Sequence, residues 1–134
     1  MKMTITALML TICLRAFAPG NNTVPVFEAK GINPYRKLIS AIGMVETKHD
    51  TLAYNPEEEA VGFFQIRPIR IRDYNKQTGS NYTLADMYDY KIAERVFLFY
   101  AMQIGPYHQE RIARSWNGSG PMTKEYWKKV KACL

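Results

Sequence analysis

Glu46 stands where an apolar residue is due. Leu38, Ile39, Ile42 and Val45 recur at helical spacing, and Ile39, Ile42 and Glu46 fall on one line of that helix. A carboxyl at the end of such a stripe is partly desolvated, which disfavours its charged form and raises its pKa. A group of that kind holds a proton near neutral pH and can deliver it to a leaving oxygen. The same spacing allows a plainer outcome, in which the helix simply ends and Glu46 turns out to solvent. Gly62-Phe63-Phe64-Gln65 follows. Its glycine lets backbone approach a ligand closely, and Gln65 offers a donor and an acceptor. Phe63 and Phe64 suit a core equally well. Later comes Ser115-Trp116-Asn117-Gly118-Ser119-Gly120, with a flat ring for stacking and a paired donor and acceptor. The alternative there is a core tryptophan followed by a helix stop. His49 and His108 are isolated and read as surface residues. No Cys/His cluster has metal-ligand spacing, so neither metal nor cofactor is expected.

A Glu at a helix end, a Gly-x-x-Gln after it and a late aromatic-Asn-Gly, in that order, resemble the lytic transglycosylases of the soluble (SLT) type. These are lysozyme-like enzymes that cut peptidoglycan, and the resemblance runs from about Pro34 to Val130. It implies a mainly α, lysozyme-like single domain with at most a minimal β element near residues 60 to 66. It implies cleavage of the β-1,4 bond between N-acetylmuramic acid and N-acetylglucosamine. A two-carboxylate glycosidase needs a base or nucleophile opposite its acid; this family needs one Glu. Carried over, Glu46 protonates the leaving oxygen and then acts as base on the muramic C6 hydroxyl, closing a 1,6-anhydro ring. Thr47, Gly62, Phe64, Gln65, Trp116, Asn117 and Tyr126 fall on the substrate-binding side. Three departures stand out. Thr47 replaces the usual Ser, keeping a hydroxyl. Trp116 replaces a usual Tyr. Glu59-Ala60-Val61-Gly62 replaces Gly-Ala-x-Gly, so Glu59 is either a second carboxylate, as in a hydrolytic lysozyme, or an exposed turn residue. A non-catalytic peptidoglycan-binding or assembly protein on the same scaffold is the reading from another class.

The elements that must position these residues are legible in outline. Asn33-Pro34 is expected to open the first helix, as N-cap and first-turn proline, and that helix is expected to end near Glu46 or Thr47. Residues 48 to 60 read as turns. Residues 67 to 75 read as a short helix and Thr83 to Asp86 as a capping box. Tyr90 to Ile104 is expected to be the longest helix, stopped by Gly105-Pro106. Its apolar face combines Ile92, Val96, Phe99 and Gln103 with Ala93, Phe97, Tyr100 and Ile104. Gln109 to Ser115 reads as another helix, with Trp116 facing inward. The last is expected from Thr123, as its cap, to Ala132, with Tyr126, Trp127, Val130 and Leu134 inward.

The chain has 134 residues, 47% hydrophobic and 22% charged, enough for one domain with an ordinary core. Its net charge of +6 suits either a polyanionic partner such as cell-wall polymer or plain solubility. There is no helix-turn-helix signal and no basic run interleaved with aromatics, so nucleic acid is not expected. Lys2, the apolar stretch from Met3 to Leu14, and Ala16-Phe17-Ala18 read as a signal peptide over residues 1–18, too short to span a bilayer as a helix. The alternative is a retained N-terminal helix. Residues 19–32 read as a leader and 33–134 as the domain. Cleavage after Ala18 removes Lys2, Cys13 and Arg15. It leaves sixteen basic against twelve acidic residues, a net charge of +4, with Cys133 alone and no intrachain disulfide. The expected setting is the periplasm or cell envelope. The expected partners are peptidoglycan glycan strands and a secretion, conjugation or phage-entry assembly. A monomer is expected.

Overall fold

Five helices and one two-stranded hairpin carry the chain in the computed structural model, which describes residues 31–134. The signal-peptide reading and nearly all of the leader lie outside the described residues. The helices are α1 (Arg36–Thr47), α2 (Pro68–Thr78), α3 (Tyr90–Ile104), α4 (Gln109–Asn117) and α5 (Met122–Lys131). Strands β1 (Tyr54–Asn55) and β2 (Ala60–Val61) pair antiparallel, Tyr54 opposite Val61. A 3-10 turn, Ala85–Tyr88, precedes α3. The protein is thus mainly α with a minimal β element. No helix among the described residues is long and apolar enough to cross a membrane.

Each helix forms for a local reason. Asp89 caps α3, its carboxylate accepting from the Lys91 and Ile92 amides, a contact worth about 1 kcal/mol. Pro68 opens α2, where a missing N–H costs nothing. The apolar stripe of α1 buries Leu38, Ile39 and Ile42, while α3 buries Ala93, Val96, Phe97 and Ala101. These faces close on Val61, Phe64, Ile66, Met87, Ile112 and Val130 to make one core. Against that core, α5 packs on both α4 and α1, which brings Tyr126's helix beside that of Glu46.

Several local expectations need correction. Asn33 is not the N-cap of α1. That position is Tyr35, and Asn33 Oδ1 instead accepts from the Tyr35 amide in the preceding turn. The capping-box threonine sits ahead of a 3-10 turn, its hydroxyl donating to Asp86 while the Asp86 carboxylate also takes the Thr83 amide. Helix α4 runs on through Trp116 and Asn117 instead of ending before them. Thr123 lies inside α5 and donates to the Gly120 carbonyl, so it supports the loop and does not cap the helix. Gln103 is exposed, as is Leu134 at 42%. A polar amide such as that of Gln103 is better solvated than placed among the apolar side chains of the core.

Candidate active site

Glu46 lies in the last turn of α1, partly buried. Just beyond it the chain reverses through Lys48 and His49, both at positive φ, a conformation that costs such residues about 1–2 kcal/mol each. The turn is held by the Lys48 and His49 amides donating to Met44 and Gly43, by the His49 ring meeting the Ser40 carbonyl, and by that ring stacking on Phe63. Phe63 in turn brings the tip of its ring against Gly43, where any Cβ would collide with it. The end of the Glu46 helix is therefore fixed from two sides.

Gly62-Phe63-Phe64-Gln65 forms a closed turn. Val61 and Ile66 exchange backbone hydrogen bonds across its neck, at 3.0 and 2.9 Å. Both ends of the motif adopt positive φ, 74° at Gly62 and 50° at Gln65. Glycine is required at the first because its missing Cβ faces the Met87 carbonyl. The close approach that Gly62 permits is thus to the protein's own backbone. Gln65 Nε2 donates to the Gly62 carbonyl at 3.1 Å, and its carboxamide oxygen makes no hydrogen bond among the described residues. Thr47 Oγ1 bridges α1 to this turn, donating toward the Gly43 and Phe63 carbonyls, each at 3.3 Å.

The third part comes from α5. Tyr126 Oη donates to Glu46 Oε1 at 2.6 Å. Burial raises the Glu46 pKa from its ordinary 4.5 to about 7; the Tyr126 hydrogen bond pulls it down, the Glu58 charge pushes it up and the Arg67 charge pulls it down. Burial, with the adjacent Glu46 carboxylate, holds the Tyr126 hydroxyl far above its usual value, so it remains a donor. A carboxyl that titrates near neutrality can serve as acid and as base in one cycle.

The late aromatic loop follows the second of its two readings, a core tryptophan and then a helix stop at Gly118. Trp116 is 6% exposed. Its Nε1 donates to the Phe64 carbonyl at 3.0 Å, and its ring meets Phe97 and Phe64 edge-on. Arg70 lies 4.7 Å from its ring centroid. No flat face is left for a sugar, so the stacking role expected of Trp116 is replaced by a structural one. Phe64 is likewise fully buried, stacked on Phe97 at 4.8 Å, and its carbonyl is taken by Trp116, so the substrate contact expected of it is replaced by a core role. Asn117 is half-buried, its carbonyl accepts from Arg67 Nη2 at 3.4 Å, and its carboxamide is unengaged among the described residues.

Comparisons of the chain with protein-family models, with curated proteins and with solved structures find no match. Among the described residues no group of three or more His, Cys, Asp or Glu could hold a metal ion. A cavity of about 570 Å³ opens between Tyr107–Arg111 and Gly118–Gly120, but Glu46 does not line it.

Sequence reasoning missed the cations of the site. Arg67 and Arg70, one helical turn apart, hold the carbonyl end of α4: Arg67 reaches Asn117, and Arg70 reaches Ser115 and Trp116 at 3.3 and 3.1 Å. Positive charge is favourable at a helix C-terminus. The available signal was Arg67-Pro68, since a residue before proline is driven to extended backbone, here φ −91° and ψ 155°. Glu59 is exposed at positive φ, and it is Glu58 whose charge acts on Glu46.

Proposed function

We propose that this chain is a peptidoglycan lytic transglycosylase on a lysozyme-like scaffold. The observation that carries the reading is Glu46, a single carboxyl poised at about pH 7 against a hydroxyl that stays protonated. In its protonated form Glu46 donates to the glycosidic oxygen between N-acetylmuramic acid and N-acetylglucosamine. The carboxylate left behind keeps the Tyr126 hydrogen bond, which stabilises the ionised form between the two halves of the reaction. It then takes the proton of the muramic C6 hydroxyl as that oxygen closes the 1,6-anhydro ring, and Glu46 is regenerated. The Gln65 carboxamide oxygen and the Asn117 carboxamide hold the sugar. The N-terminal pattern suits export to the envelope, and the net charge of +4 left after cleavage at Ala18, sixteen basic against twelve acidic residues, suits an acidic polymer. A small domain of this kind fits local wall opening for a secretion, conjugation or phage-entry assembly.

Mass spectrometry of purified peptidoglycan after incubation with the protein tests this. Anhydromuropeptides are expected. Reducing ends would instead assign hydrolysis, with Glu58 as the second carboxylate whose charge acts on Glu46. Absence of both products would leave a binding module.

A further inference from the structure

We propose that Arg67 is the receptor for a carboxylate on the muramyl side of the substrate, and that Glu58 occupies it in the free protein. The inference rests on the peptidoglycan reading and adds to it the group that tells the two alternating sugars apart.

Arg67 is the cation whose charge acts on Glu46, and it is loosely held. Its Nη1 lies 4.0 Å from Glu58 Oε1, with side chains 36% and 56% exposed, and its Nη2 donates to the Asn117 carbonyl at 3.4 Å. Both contacts are at the long limit of their kind, and an exposed ion pair of that length contributes little. Arg70 is the contrast. Its guanidinium lies over both the Tyr100 and Trp116 rings, 4.7 Å from each centroid, and caps two carbonyls. Asp73, which accepts from Tyr100 and Gln77, provides a negative charge beside it. These two arginines, with Ile69 and Asp73, line a cavity of about 170 Å³. The Arg67 charge bears unfavourably on Arg70, so one more anion at Arg67 relieves both.

A planar guanidinium matches a carboxylate with two parallel hydrogen bonds, a stronger arrangement than the present one. N-acetylglucosamine carries no acid. The lactyl arm of muramic acid, or the peptide it bears, does. Arg67 also holds the backbone of Asn117 and acts electrostatically on Glu46, so an acid bound there lies next to the scissile region. Displacing Glu58 is therefore a built-in step of muramyl recognition.

The test is binding, read by calorimetry or NMR titration, of an N-acetylmuramyl dipeptide with a free terminal carboxylate, of its amide, and of an N-acetylglucosamine oligomer. The wild-type protein is expected to prefer the acid over the amide by roughly ten-fold. Arg67→Gln removes that preference, Arg67→Lys keeps part of it, and Glu58→Gln strengthens binding of the acid by vacating the site. Equal affinity for acid and amide in the wild type, or a preference that survives Arg67→Gln, overturns the inference and leaves the peptidoglycan reading standing. If no sugar ligand binds at all, that reading falls and takes the inference with it. Should Arg67→Gln fail to fold, the wild-type acid–amide comparison and Glu58→Gln, a change at an exposed turn, decide alone.

Discussion

Replacing Glu46 with glutamine keeps the shape of the side chain and an acceptor for Tyr126, and removes only the proton chemistry. The structure fixes what that does to stability. Glu46 titrates at about 7 in the folded protein against an ordinary 4.5. Below pH 4.5 both folded and unfolded chains hold the proton, and the group carries no ionisation cost. Between 4.5 and 7 the folded chain retains a proton that the unfolded chain has released, so stability falls as pH rises. Above 7 both are ionised and the deficit is constant. At about 1.36 kcal/mol per pKa unit the ceiling is about 3 kcal/mol; solvent access to a partly buried carboxyl brings this to roughly 1–3 kcal/mol. Glu46→Gln therefore unfolds like wild type at pH 4 and is more stable by that amount at pH 8, a rise in midpoint of about 4 °C or more. Its turnover of peptidoglycan drops by on the order of 10²–10⁴-fold, while its binding to insoluble peptidoglycan survives. Thermal unfolding at both pH values and a dye-release digestion assay measure the pair of effects. Equal stability gains at pH 4 and pH 8 would refute the desolvation argument. Digestion near the wild-type rate would show that Glu46 is not the acid, and the search would move to Glu57, Glu58 and Glu59.

Tyr126→Phe removes the donor that favours the ionised form of Glu46, so the Glu46 pKa should rise by about one unit or more; carboxyl carbon-13 NMR should show it, and a fall would contradict the geometry. Gly43→Ala places a methyl in the Phe63 ring and should cost about 1–3 kcal/mol, read from urea midpoints. Trp116→Phe leaves the Phe64 carbonyl without its N–H partner and should cost roughly 1–3 kcal/mol, with glycan binding per folded molecule retained; a stacking platform would show the reverse. Asn117→Ala keeps the backbone carbonyl that Arg67 uses, so turnover should fall while the melting temperature stays nearly unchanged.

Helix α3 was legible to the residue, because its apolar repeat is long and Gly105-Pro106 permits no continuation. The partly buried place of Glu46 at the end of α1 was legible as one of two outcomes of a single stripe. Trp116 was likewise left open between a ligand face and the core. Whether a tryptophan ring faces a ligand or the core is decided by Phe64, Phe97 and Arg70, which three other segments supply. Gly62 showed that backbone approaches closely there without showing that the approaching atom is the Met87 carbonyl. Tyr126 entered through a family pattern, and no spacing rule pairs a hydroxyl with a carboxyl from another helix. Arg67 and Arg70 read as ordinary surface charge until α4 is placed above them, because a cap supplied from a distant segment leaves no local periodicity.

The hydrogen bond between Tyr126 and Glu46 joins residues 80 positions apart. A nascent chain that has exposed Glu46, the 62–65 turn and Asn117 still lacks α5, and with it both the hydroxyl and part of the wall that desolvates the carboxyl. In that state the burial that raises the Glu46 pKa is incomplete. On the transglycosylase reading, the proposed acid is therefore assembled only when α5 docks on α1. The same dependence makes the exposed Gly118–Gly120 loop a weak point. A single cleavage there leaves all but one of the site's side chains in one fragment, and makes the Glu46 hydrogen bond depend on whether a ten-residue helix stays in place.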